Sequence, residues 1–383
     1  MSLLALMASA GLAAGEENLY LIASEPFDAP LATFPTLFYR LDGGQLTKIR
    51  TVTTQRQDTM FARVYHDKGY AVVASDGAAK GSFLLNVIDL ESVSAQTSYD
   101  IDTCEGCFYI ESYLLSRNDS LIYVILGRDR DRVYRGVNLR TGAMSSDFDD
   151  RDEVHAYSGS HGNGFVDHGG GIILRNIMGV GKDAVIYEWG NARRLGWTLP
   201  DGLELRKDGS YAVQYMNNDH LRVISIGGHP RDSRSRLFYV YAKAGDAWSK
   251  LKLSGGLFSL RAYRHWLIAE EIYRGIPGSP ELERLEVQHF PPFLSAADRL
   301  RARDIAPSGR FYLYNARTQA LIIHDTGEPN SEVLYVDEDD AVYYRVSDEL
   351  RRAQIEDGEL ARPSVLVKSP VLWAVHWLFL GKE

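Results

Sequence analysis

Apolar residues along this chain come in short runs rather than at helical spacing. Runs rich in Tyr, Val, Ile, Leu and Phe alternate with clusters of Gly, Asp, Asn and Ser. Such runs read as strands, and two of them around a short turn read as a hairpin. Seven pairs stand out: "TLFYRLDGGQLTKI", "FLLNVIDLESVSAQT", "VYRGVNLRTGAMSS", "AVIYEWGNARRLGW", "LFYVYAKAGDAWSKL", "FYLYNARTQALIIHD" and "AVYYRVSDELRRAQI". They begin at Thr36, Phe83, Val133, Ala184, Leu237, Phe311 and Ala341. The first four intervals are 47, 50, 51 and 53 residues, and the last two, 74 and 30, together span two repeats.

A hairpin period near 50 residues is the signature of a propeller, in which each unit has room for four short strands. One such sheet cannot bury both faces alone; radial packing against its neighbours does so. The ends of the chain point the same way. "VLWAVHWLFL" (Val371 to Leu380) is too apolar to be left exposed, and "NLYLIA" (Asn18 to Ala23) begins without a strand of its own before it. The expected solution is ring closure, with the C-terminal run serving as inner strand of the N-terminal blade. On period and closure the chain resembles the seven-bladed β-propeller superfamily. The resemblance implies an all-β fold: a single propeller of seven four-stranded blades over residues 15–383. The Gly-His and Trp-Asp marks of WD40 repeats are absent, and "APSGRF" (Ala306 to Phe311) is a degraded form of the Ser-Pro-Asp-Gly turn of bacterial propellers.

Two segments stand outside the repeat. Residues 1–14, "MSLLALMASAGLAA", read as a signal peptide with small residues at the cut. The expectation is an exported protein, periplasmic or extracellular; otherwise the chain is cytoplasmic. Residues 279–309 form a long insertion, with Ser295 as N-cap of a short helix, "SAADRLRARD", and Asp298 completing a capping-box-like pair. Propeller insertions fall in loops on one face, often the binding face.

Composition narrows the function classes. A net charge of −9 lacks the basic footprint of a nucleic-acid binder. The arginines of "GRDRDRVYR" and "HPRDSRSR" alternate with Asp or Ser and read as solvated hairpin tips. No apolar run reaches the length of a membrane span. The two cysteines, Cys104 and Cys107 in "CEGC", cannot supply four zinc ligands; they read as an inert pair or a small disulfide. No nucleophile elbow, phosphate loop or zincin helix is present.

A polar-x-Tyr pattern recurs at repeat phase: Arg63 with Tyr65, Glu111 with Tyr113, His155 with Tyr157, Arg261 with Tyr263. The spacings are 48, 44 and 106 residues, the last being two repeats. Residues i and i+2 share one strand face. These eight residues, joined by His376 of the C-terminal run, are therefore expected to line the central channel and contact a ligand. Next to His155, the histidines His161 and His168 fall in turns at opposite ends of a blade. Strand length separates those ends by ~17–20 Å, too far to share one metal ion. The acidic stretches "SSDFDDRDE" and "VDEDDA" read as solvated turns.

No cofactor or metal is expected. The leading reading is a monomeric, non-catalytic binding or interaction module. Its surface for a small molecule, glycan or protein would lie at one mouth of the channel. The alternative is a hydrolase or lyase acting there on a sugar or lactone, with metal assistance from inner-strand His and Glu residues.

Overall fold

A computed structural model describes residues 18–24, 34–54, 62–66, 69–76, 83–93, 96–101, 109–115, 120–126, 132–138, 144–145, 164–166, 172–175, 185–188, 193–195, 212–217, 220–227, 235–242, 247–254, 258–271, 309–328 and 331–381. The signal-peptide segment, both cysteines, His155, Tyr157, His161, His168 and the expected insertion helix lie outside them.

The strands pair antiparallel into small sheets in a propeller-like arrangement. The N-terminal sheet runs Val375–Gly381, Asn18–Ser24, Phe34–Asp42, Gln45–Thr54. The 62–101 sheet runs Ala62–Tyr65, Tyr70–Asp76, Phe83–Asp89, Gln96–Ile101. Further sheets form within 109–145, 164–195 and 212–254. The 258–325 sheet runs Phe258–Tyr263, Trp266–Glu271, Arg310–Asn315, Leu321–Asp325. In the 331–368 sheet, Ser331–Val336, Ala341–Val346 and Glu349–Glu356 are followed by two short strands, Glu359–Leu360 and Ser364–Lys368. Both pair with Glu349–Glu356.

Local chemistry fixes the hairpins. Asp357 and Gly358 both have positive φ, 49° and 83°, which matches the right-handed twist of the flanking strands. Gly309, at the start of the Arg310–Asn315 strand, has φ 77°. A Cβ there would overlap the Glu328 carbonyl oxygen and stand 2.8 Å from Thr326 Oγ1. Gly309→Ala is therefore expected to cost roughly 1–3 kcal/mol, measured as a shift of the urea midpoint at unchanged slope.

Alternation then decides which sheets meet. Leu19, Leu21 and Ala23 pack with Leu334, Ala341, Leu350 and Val367 of the 331–368 sheet. Tyr20 and Ile22, on the other face of the same strand, pack with Val64, Ala71 and Ile88 of the 62–101 sheet. The 331–368 sheet meets the 258–325 sheet through Val333, Tyr344, Ile268 and Leu313. That sheet in turn meets the 212–254 sheet through Leu267, Tyr312, Leu221 and Val240. Each of the three middle sheets in this series is thus buried on both faces, as radial packing requires.

Two details differ from the sequence expectation. The last hairpin, from Ala341, occupies the second and third positions of its sheet, whereas the 83–101 and 310–325 hairpins occupy the third and fourth. Its interval is short for that reason. The preceding interval is long because residues 272–308 separate the second and third strands of the 258–325 sheet. The apolar C-terminal run is also not one strand. Pro370–Ala374 forms a 3-10 turn capped by Ser369, whose side chain accepts from the Val371 N–H, and only Val375–Gly381 joins the ladder. Proline, lacking an N–H, is suited to start such a turn and unsuited to a ladder.

Candidate functional site

The strands Ala62–Tyr65, Phe258–Tyr263, Ser331–Val336 and Val375–Gly381 each stand at one edge of their sheets. Their edges approach one another, and the polar side chains they carry meet there.

Arg261 and Tyr263 sit two apart on their strand, both buried. The Arg261 guanidinium forms an ion pair with Glu332, donates to the His376 carbonyl at 3.1 Å and reaches the Tyr263 hydroxyl at 3.5 Å. It also lies 5.3 Å from the Trp377 ring centroid. Tyr263 donates to the Leu334 carbonyl at 2.6 Å. Glu332 turns its second oxygen to Arg345 at 2.9 Å. Arg345 donates in addition to the carbonyls of Leu372 (2.8 Å) and Trp373 (2.7 Å). One carboxylate thus bridges two guanidiniums, and all three side chains are less than a tenth exposed. Glu270, also buried, accepts from the Val333 N–H.

These partners determine protonation. Burial works against the charge of Arg261, but Glu332, Tyr263 and Glu270 outweigh it and raise its pKa above the ordinary value. Burial keeps Tyr263 un-ionised.

His66, just past the Ala62–Tyr65 strand, reaches the same cluster. Its ring stacks on Tyr335 at 4.5 Å and meets Tyr263 edge-on at 5.3 Å; Tyr263 and Tyr335 are themselves edge-on at 5.7 Å. Burial first, and the Arg261 charge second, push the His66 pKa down to about 3 from 6.5. Between these values the unfolded chain binds a proton that the folded one refuses. Stability is full above pH 6.5 and falls as the pH drops toward 3, by up to about 1.4 kcal/mol per pH unit. His66→Phe should flatten that part of the stability profile, which urea titrations at stepped pH would reveal; an unchanged slope would contradict the assignment.

The residues expected from the sequence fall into four groups. Arg261, Tyr263 and His376 come together here, His376 through its carbonyl. Arg63 and Tyr65 lie on the Ala62–Tyr65 strand that leads into His66. Glu111 and Tyr113 lie on Tyr109–Leu115, an edge strand, with Glu111 at a register shift between Ile110 and Ser112. His155 and Tyr157 lie outside the described residues.

Sequence reasoning passed over Glu332 and Tyr335. They are spaced by three, not two, because the register shifts between Val333 and Tyr335. A bulge inserts one residue and so conceals an alternating pair. The "DEDD" turn, expected to be solvated, is solvated only in part. Asp337 is buried and accepts from the N–H groups of Asp339 (3.0 Å) and Ala341 (2.8 Å). Asp340 accepts from Trp266 Nε1 at 2.7 Å and lies 3.4 Å from His265 Nε2, joining the turn to the next sheet. Among the described residues no group of three or more His, Cys, Asp or Glu side chains is placed to hold a metal ion, and no helix is long and apolar enough to cross a membrane.

No protein-family model matches the chain, and no curated protein does. Solved structures do. An uncharacterized protein of Listeria monocytogenes aligns over 92% of this chain and 92% of its own, at 8% identity and a TM-score of 0.52. The β-propeller domain of the Trilobed protease from Pyrococcus furiosus, described as having an open velcro topology, aligns over 92% and 95%, at 10% identity and 0.46. An oligogalacturonate lyase in complex with manganese aligns over 94% and 100%, at 9% identity and 0.40. At these identities the likeness is one of fold, with no bearing on activity.

Proposed function

We propose that the protein is a non-catalytic binding or interaction module. In this reading its sheets close into seven blades, with the Val375–Gly381 strand completing the N-terminal one. Its ligand surface lies at the end of the axis where Trp373 emerges. The carrying observation is how the buried carboxylates of the site are used. Glu332 is shared by two guanidiniums and Glu270 accepts a main-chain N–H. Such groups act as structural anions; a general acid or base needs a carboxylate or imidazole able to exchange its proton near neutrality. His66, with its pKa near 3, is likewise a poor proton carrier.

Trp373 supplies the complementary feature. It is 40% exposed on the 3-10 turn that crosses from the edge of the 331–368 sheet to the inner edge of the N-terminal sheet. An aromatic platform beside polar main chain suits a glycan or a small polar ligand.

A thermal-shift screen of mono- and oligosaccharides, lactones and divalent cations tests the reading, with product analysis of every hit. The expected result is a ligand that raises the melting temperature, is recovered unchanged, and loses its effect in Trp373→Ala. At a hundred times Kd such a ligand stabilises by about 2.7 kcal/mol. Turnover of a sugar or lactone would overturn the reading in favour of the hydrolase or lyase.

A further inference from the structure

We propose that Glu332 anchors a clasp that fastens the Pro370–Gly381 segment, so that this segment can peel from Asn18–Ser24 as a unit while the other sheets stay folded. The two arginines reach the same short segment from different sheets. Arg345 donates to the carbonyls of Leu372 and Trp373, and Arg261 to that of His376. All three acceptors belong to one stretch of main chain at the end of the 3-10 turn and the start of the strand. The last carbonyls of a helical turn need donors from beyond it: Leu372 takes one from the Val375 N–H and a second from Arg345, Trp373 takes one from Arg345, and the turn carries no basic residue of its own. Both cations come from other sheets, and Glu332 holds both.

The rest of the attachment is of a different kind. The strand pairs with Asn18–Ser24 from Asn18 opposite Gly381 to Ala23 opposite Val375, and Leu378 and Phe379 are fully buried. That burial is non-directional; the clasp supplies the fixed points. Without the carboxylate, two buried guanidiniums lose the counter-charge they share, and each gains by turning toward solvent and releasing its carbonyls. The opening would uncover the edge of Asn18–Ser24 and, with it, a strand-shaped acceptor. Neither the blade number nor the identity of a ligand enters into this clasp.

Native-state hydrogen exchange on the full chain, read peptide by peptide across low urea concentrations, tests it. A local opening exchanges with little urea dependence, whereas global unfolding steepens with urea. In Glu332→Gln, amides of 375–381 and 18–24 should exchange about a hundred- to several-thousandfold faster than in the native chain, as expected for breaking a buried ion pair by removing one partner, and nearly independently of urea. Amides of 83–89 should retain a steep urea dependence. One common urea dependence for both sets, or unchanged exchange at 375–381, overturns the clasp. Should Glu332→Gln fail to fold, the double variant Glu332→Met with Arg345→Met removes one charge pair and keeps apolar volume. The same two signatures are expected of it, and their absence is equally fatal.

Discussion

Glu332→Gln should lower the unfolding free energy by about 3–5 kcal/mol, the range for breaking a buried ion pair by removing one partner. Urea titration of the full chain would measure it. The loss is large because both arginines remain, buried beside a neutral amide that cannot balance them. A second variant sharpens the point. Replacing a whole buried ionic group by apolar residues is often neutral or stabilising. Here Arg261→Met, Glu332→Leu and Arg345→Met combined should stay clearly less stable than the native chain. The two arginines also supply donors to the carbonyls of Trp373 and His376, and each carbonyl left without one in the interior costs about 1–3 kcal/mol, whereas Leu372 keeps the Val375 N–H. A triple variant as stable as the native chain would show that these carbonyls find other donors.

Phe379→Ala should cost a similar amount, about 3–5 kcal/mol. The ring is fully buried, stacks on Tyr20 at 5.3 Å and fills the space between the N-terminal and 62–101 sheets with Val64, Ile88 and Leu90. Neighbouring Gly381 approaches Tyr20 so closely that a Cβ there would overlap its ring, so little room exists for the site to collapse around a deletion. Trp373→Ala, six residues earlier in the same apolar run, should change stability by no more than about 0.5 kcal/mol. Thermal and urea unfolding of the two variants side by side would separate burial from mere hydrophobicity.

The hairpins were legible because strand patterning and turn chemistry are local. Asp42, Gly43 and Gly44 between two apolar runs specify their turn without outside help. The site was legible where repeat phase and alternation agree, which is why Arg261 and Tyr263 could be singled out together, and at His376 through the apolar C-terminal run. Glu332 and Tyr335 escaped because a bulge displaces one of them. Arg345 escaped with Glu332, since it lies directly opposite that residue in the ladder. His66 comes just after its strand rather than lying within it. Trp373 was read as part of a buried strand, since composition cannot distinguish the Pro370–Ala374 turn from the Val375–Gly381 strand. The contacts of Glu332 with Arg261 and of His66 with Tyr335 join sheets distant in sequence, where the local pattern carries no information.

The pairing of Asn18–Ser24 with Val375–Gly381 also bears on how the chain is made. Leu19 lies opposite Leu380. At ribosomal rates of roughly 5–20 residues per second, tens of seconds separate the emergence of the two. During that interval the early strand can hold its hairpin-side neighbour, Phe34–Asp42, but its other edge stays bare and apolar. The last step of this first sheet therefore waits for the synthesis of Val375–Gly381, however early its other strands appear. The nascent chain passes through a stage in which a sheet edge awaits a partner, the stage at which a chaperone or a second copy of the chain would compete for it.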